Sequence, residues 1–271
     1  MAYMQKKWVS HDKRFIIVDK YHSLRALPKN AQMVKERRKP KKGMTSEQQE
    51  RINLRHRTDK LSRLIMDNFK TGDWWVAFTL EEKTSVEKFK AAYEKMIRYL
   101  RGFYQKHGLD FKYVAVQENL TGRGRLHGHM MIPAIPGVRF EQMKKRMAKA
   151  WTLGHSYFKP YEGAVMDARR VAAYMTKEDA ITTKLNEKMQ AKRAGNDTKA
   201  LDSEIKAQRS LICTSRNLIR TKAVKKLVPR GSFRAEIKAP KGYHVVKPLS
   251  YNGKTADDFD YQHAVFERDD E

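Results

Sequence analysis

Apolar residues recur at three- and four-residue steps in two stretches of the chain. Phe89, Tyr93, Met96, Leu100 and Phe103 fall on one face of a helix, and Phe140, Met143, Met147 and Trp151 on one face of a second. Around them lie short runs of bulky and β-branched residues: KRFIIVD (13–19), WWVAFTL (74–80), FKYVAVQE (111–118) and LHGHMMIP (126–133). Each predicts a strand. The last two flank the glycine-containing turn NLTGRGR, which makes them a hairpin. After Gly154, HSYFKPYEGAVM predicts one or two further strand pieces, and Asp167 is positioned to cap a third helix, ARRVAAYMTKEDA. An earlier polar helix ends near LSRLIMDNF, with Ser46 and Gln49 spaced as a capping box.

The order strand, helix, strand, strand, helix, strand, helix predicts an α+β fold: an antiparallel sheet with helices packed on one face, of the ferredoxin-like kind. Residues 182–222 are lysine-rich and helical in composition, and the acidic end DDFDYQHAVFERDDE is expected to be mobile. No internal repeat is visible. Three segments follow: a basic arm of strand and helix over 1–70, the main domain with a helical extension over 71–225, and a partly mobile tail over 226–271.

A chain of 271 residues holds one substantial domain with extensions or two small ones. Lysine and arginine number 57 against 31 acidic residues, for a formal charge of +26. Self-repulsion on that scale calls for a polyanionic partner, of which nucleic acid is the first choice; ribosomal and membrane-surface proteins share the property. The basic run KERRKPKKG is either a solvated linker or a DNA contact. The lone Cys213 excludes an internal disulfide and a cysteine-based zinc site. No apolar run approaches the roughly 18 residues of a membrane span, and MAYMQKKWVSHDKR lacks the apolar core of a secretory signal, so a reducing cytoplasm is expected.

His127 and His129 alternate within one strand, so both imidazoles leave the same face of the sheet. Glu118, on the preceding strand of the hairpin, can bring its carboxylate across to them, whereas Gln117 points to the other face. Two imidazoles and a carboxylate suit magnesium or manganese and would also take zinc or cobalt. Two surface histidines and a strand-end glutamate are the plainer alternative. Tyr174 and Lys177 stand three apart on the third helix, on neighbouring points of one face; with Val171 and Met175, the tyrosine could equally be core.

Taken in order, Phe78-Thr79-Leu80, His127-Gly128-His129 and Tyr174-Met175-Thr176-Lys177 resemble the HUH endonucleases, specifically the replication initiators of rolling-circle phages and plasmids. The likeness covers roughly 74–178, with weaker similarity extending from the early strand to Ser215-Arg216-Asn217-Leu218. It implies that Glu118, His127 and His129 hold a divalent ion, Mg2+ or Mn2+, that Tyr174 is the nucleophile and that Lys177 helps position the ion or phosphate. Gly128 departs from the bulky apolar residue usual between the histidines. The implied activity is nicking and rejoining of single-stranded origin DNA through a 5′-phosphotyrosine, leaving a free 3′-hydroxyl, with host helicase and polymerase as partners in a bacterial cytoplasm. A relaxase, a single-tyrosine transposase or a non-catalytic RRM-like binding module is the alternative; against the last, no aromatic RNP1-type strand is present.

Three features are set aside. Gly253-Lys254-Thr255 imitates the end of a phosphate-binding loop, but Pro248 stands in place of its first glycine, so no helicase is expected. LVPRGS (227–232) matches a thrombin linker, although basic sequence continues on both sides. His155 is expected to be structural.

Overall fold

The computed structural model describes residues 3–23, 47–120, 125–234, 236–254 and 258–269. The chain divides into two compact units, one from the described residues of 45–219 and one from those of 1–44 and 220–271.

In the first unit, Trp74–Phe78 (β3), Val114–Glu118 (β4), His127–Ile132 (β5), Ser156–Pro160 (β6) and Leu211–Thr214 (β7) form an antiparallel sheet in the order β6-β3-β5-β4-β7. Val86–Gln105 (α2) and Phe140–Ala150 (α3) supply the apolar stripes read from the sequence. Phe89, Tyr93, Met96, Leu100, Met143 and Met147 pack with Trp151 against Val76, Phe78, Ala115, Met130 and Ile132 of the sheet. Ser85 caps α2, its side chain accepting from the Lys88 amide at 3.2 Å. The indole of Trp151 donates to the Thr79 carbonyl at 3.1 Å, satisfying its one polar atom inside the core. The expected α+β architecture, an antiparallel sheet with helices packed on it, is therefore present.

Glu47–Asn68 (α1), Val165–Thr176 (α4), Glu178–Arg193 (α5) and Lys199–Gln208 (α6) complete the unit. Leu54, Ile181, Leu185 and Ile205 bury together where α1, α5 and α6 meet. Lys188, buried among them, reaches Glu47 at 3.2 Å and Asp202 at 2.5 Å.

Three local expectations change here. β7 lies in the stretch whose composition predicts helix; it is four residues long and too short for a period to register. Asp167 does not cap α4, which starts at Val165 after Ala164; it sits in the first turn and accepts from the Glu162 amide at 3.0 Å. Lys177 is not inside the third helix but ends it, as shown below. Ser46 of the expected capping box, and the run KERRKPKKG, lie outside the described residues.

The other unit is a six-stranded antiparallel sheet. Tyr3–Val9 (β1) and Phe15–His22 (β2) form a hairpin where the sequence pattern predicts one strand. Val224–Val228 (β8), Tyr243–Val245 (β9), Tyr251–Lys254 (β10) and Asp260–Arg268 (β11) join it. The path is β10-β11-β2-β1-β8, with β9 also paired to β11. The acidic end is thus no mobile tail over its described length: Ala264, Val265 and Phe266 are buried in β11, with Ile16 of β2 beside Ala264 and Phe266. Flanking charges mask that three-residue apolar centre in the sequence. The two units also cut across the segments 1–70, 71–225 and 226–271, because a sheet closed by strands from opposite ends of the chain leaves no local signal. LVPRGS belongs to this sheet: Leu227 and Val228 pair with Met4 and Tyr3, and Arg230 bonds Asp260 at 3.2 Å. Gly253 and Lys254 lie in β10, not in a phosphate-binding loop.

Candidate active site

Register decides which side chains meet. In the β4–β5 hairpin Glu118 opposes His127 and Val116 opposes His129, and directly opposed residues leave the same face of a sheet. Glu118, His127 and His129 consequently share the face turned away from α2 and α3. Their ligand atoms all lie within 4.8 Å of one another. Glu118 Oε2 is 3.0 Å from His127 Nε2, and Oε1 is 4.0 Å from His129 Nε2. Gln117 turns to the other face, as its place in the strand predicts.

Gly128, between the histidines, faces the core. A Cβ there would meet the Val116 carbonyl at 3.2 Å, the Tyr93 ring at 3.5 Å and the Phe89 ring at 3.7 Å. The two aromatic rings of α2 fill the space that a larger residue would need, which accounts for the glycine.

His127 Nδ1 lies 3.0 Å from the Arg125 carbonyl. That acceptor calls for a proton on Nδ1 and turns Nε2 toward the site. His129 stacks flat on Trp75, with ring centroids 5.0 Å apart and planes within 9°. The sequence pattern marks Trp75 only as a strand residue; its place two residues before Ala77, the partner of His129, is the signal that could have singled it out.

Tyr174 enters from α4. Its hydroxyl lies 2.8 Å from His129 Nε2, and its ring stands edge-on to Trp75 at 6.0 Å. The helix is braced from behind: the buried hydroxyls of Thr176 and Thr58 on α1 are 2.7 Å apart, and Ser210 Oγ donates to the Met175 carbonyl at 2.5 Å. Lys177 follows with φ 57° and ψ 36°, the left-handed conformation, closing α4 and opening α5. A non-glycine residue there costs about 1–2 kcal/mol. The break swings its ammonium onto Glu118 Oε2 and to 4.3 Å from the centre of the Tyr174 ring. All five residues singled out in the sequence are brought together, and Lys177 gets there by leaving the helix.

Charge follows from these contacts. Burial pushes the Glu118 carboxyl up, but hydrogen bonds from His127 and Lys177 outweigh it and hold the group at about 2, fully ionised. His127 is raised by its hydrogen bond to Glu118, against burial. Burial lowers His129 to about 4, leaving it neutral with a lone pair to offer. Burial, with the nearby Glu118 charge, lifts the Tyr174 phenol to about 12.

The donor set fits a divalent cation. Glu118 Oε1 and His129 Nδ1 are buried with no hydrogen-bond partner, and buried polar atoms of this kind call for an explanation such as an ion. Two imidazoles and an ionised carboxylate provide mixed nitrogen and oxygen ligation of the type magnesium or manganese accepts.

Elsewhere the singled-out residues are structural. His155 accepts from the Thr79 amide through its carbonyl at 2.9 Å. Ser215 Oγ accepts from the Tyr113 amide at 3.1 Å and Asn217 donates to the Phe111 carbonyl at 3.3 Å, tying the end of β7 to the approach to β4.

No curated protein and no solved structure matches the chain. The sequence model of one family does: residues 73–179, which begin just before β3 and end two residues after Lys177, match that of the Replication-associated protein ORF2 family, a likeness over less than half the chain that contains every residue of the site and points to replication initiation.

Proposed function

We propose that the protein is a rolling-circle replication initiator of the HUH type, a single-tyrosine endonuclease that nicks and rejoins single-stranded origin DNA. The observation that carries this reading is the Tyr174 hydroxyl, 2.8 Å from His129 at the edge of the Glu118, His127 and His129 cluster.

In this reading Glu118, His127 and His129 hold a divalent ion, Mg2+ or Mn2+, which when bound withdraws charge from the scissile phosphate. Tyr174 supplies the attacking oxygen. Its phenol, held near 12, is a poor nucleophile at neutral pH, so loss of its proton needs help from nearby positive charge. Lys177 provides that charge and is free to turn from Glu118 to phosphate once the carboxylate has another cation to bind. The Tyr174 oxygen forms a bond to phosphorus as the bond from phosphorus to the 3′-oxygen breaks; the 3′-oxygen takes up a proton. The products are a 5′-phosphotyrosine and a free 3′-hydroxyl. The ester energy is kept, so the reverse reaction rejoins DNA, and the hydroxyl can be extended by a host polymerase behind a host helicase.

Candidate origin oligonucleotides and manganese should give a protein-linked product on a denaturing gel, with the adduct mapping to Tyr174 by mass spectrometry. Tyr174→Phe should abolish nicking and adduct while leaving melting temperature and DNA affinity within experimental spread. DNA linked at Tyr157 or Tyr161, or undiminished nicking by Tyr174→Phe, overturns the assignment. Tight DNA binding with no adduct from any substrate favours the non-catalytic binding module.

A further inference from the structure

Tyr157 shares the sheet face of the site but takes no part in it. On β6 it opposes Ala77 of β3, which in turn opposes His129 of β5. Opposed residues share a face, so Tyr157, Ala77 and His129 form one row across three strands. Strand spacing of about 4.8 Å puts the Tyr157 backbone roughly 10 Å from that of His129. The middle residue is alanine, so the sheet floor between the phenol and the imidazole is low.

The direction of Tyr157 is fixed by register. Its neighbour Phe158 turns to the opposite face, where it packs edge-on to Trp74 and Phe140. Tyr157 itself is 60% exposed, the most exposed aromatic side chain among the described residues. Lys159, also exposed, follows on the same face opposite Trp75, the ring that stacks on His129. A bare aromatic ring, a low floor and a cation therefore border the candidate metal ligands on the side away from β4.

We propose that Tyr157 is a base-stacking position: a nucleobase close to the scissile phosphate lies against its ring above Ala77, with Lys159 facing the sugar-phosphate chain. This rests on the nuclease reading for its choice of ligand. Stacking on an aromatic side chain is indifferent to base identity and strengthens single-strand binding. Tyr157 is thus a positioning residue, setting which phosphate reaches Tyr174 without contributing a reacting atom.

The test uses full-length Tyr174→Phe protein, so that binding is read without cleavage, and two probes: an oligo(dT) and an abasic strand with the same number of phosphates. Adding Tyr157→Ala should weaken oligo(dT) binding roughly tenfold and leave the abasic strand unaffected. Tyr157→Trp should restore oligo(dT) affinity. Unchanged oligo(dT) affinity in Tyr157→Ala, or an equal loss on both strands, overturns the proposal, the second because it reports lost fold or charge rather than lost stacking. In the cleaving parent, Tyr157→Ala should raise KM with little change in kcat; a loss confined to kcat that Tyr157→Phe does not rescue would mean that the hydroxyl takes part in the chemistry, and would overturn it too. If no DNA is ever cut but the base-dependent loss remains, the nuclease reading fails and the stacking position stands.

Discussion

Lys177 combines two properties that a helix interior would keep apart. Its left-handed backbone ends α4, and that turn is what lets its ammonium reach Glu118 while lying over the Tyr174 ring. Charge and backbone can be separated by substitution. Lys177→Ala and Lys177→Gly both remove the ammonium and should slow adduct formation by a similar factor, worth a few kcal/mol of transition-state stabilisation. The glycine variant should be about 1 kcal/mol more stable than the alanine variant, because glycine takes positive φ without a Cβ penalty; equal melting temperatures would remove the strain from the account. The metal ligands give a second prediction. His127 is raised above 6.5 by Glu118, so in the metal-free protein their pairing contributes stability that is present below that pH and lost as pH rises through the raised value. Metal uptake runs the other way, since the ion and the proton compete for the same nitrogen. Manganese affinity measured by calorimetry should rise with pH over the range in which metal-free stability falls, and the His127→Ala, His129→Ala double variant should show no such binding.

At the scale of elements, the strands β3, β4 and β5 and the helices α2, α3 and α4 are legible in the sequence because each repeats its own period over enough residues to be seen. The hairpin register follows from them, and with it the common face of Glu118, His127 and His129. What the sequence hides depends on partners remote along the chain. β8 is VKKLV with four of its five residues exposed, so it is a strand through its hydrogen bonds to β1 and not through an apolar face. The break at Lys177 falls in YMTKEDA, where the residues on both sides favour helix and nothing local announces the turn. Trp75 reads as core because its stacking partner lies on another strand. The packing of α2 onto β5 gives a third prediction: Gly128→Val pushes a branched side chain into the Val116 carbonyl and the Tyr93 and Phe89 rings and should destabilise by about 1–3 kcal/mol. Nicking should fall with it, since Gly128 sits between both ligating histidines. A variant with parental melting temperature would mean that α2 yields more easily than the contacts imply.

For the whole molecule, the formal charge of +26 predicts single-stranded DNA binding that weakens steeply between low and moderate salt as phosphate contacts release counterions. A flat response would assign the charge to another partner. The division into units predicts that residues 45–219 expressed alone fold cooperatively and bind manganese, since every ligand and the helices bracing Tyr174 lie within them; circular dichroism and calorimetry check this, and an unfolded product would show that the flanking sheet is required. That sheet also imposes an order on synthesis. β2 bonds β1 on one side and β11 on the other, and the whole 45–219 unit is translated between the two partners. At about 5–20 residues per second, one edge of β2 stays unpaired for on the order of ten seconds or more after it leaves the ribosome. The first hairpin made is therefore the last to be completed, and until then it presents an open strand edge of the kind that invites pairing with a second nascent chain.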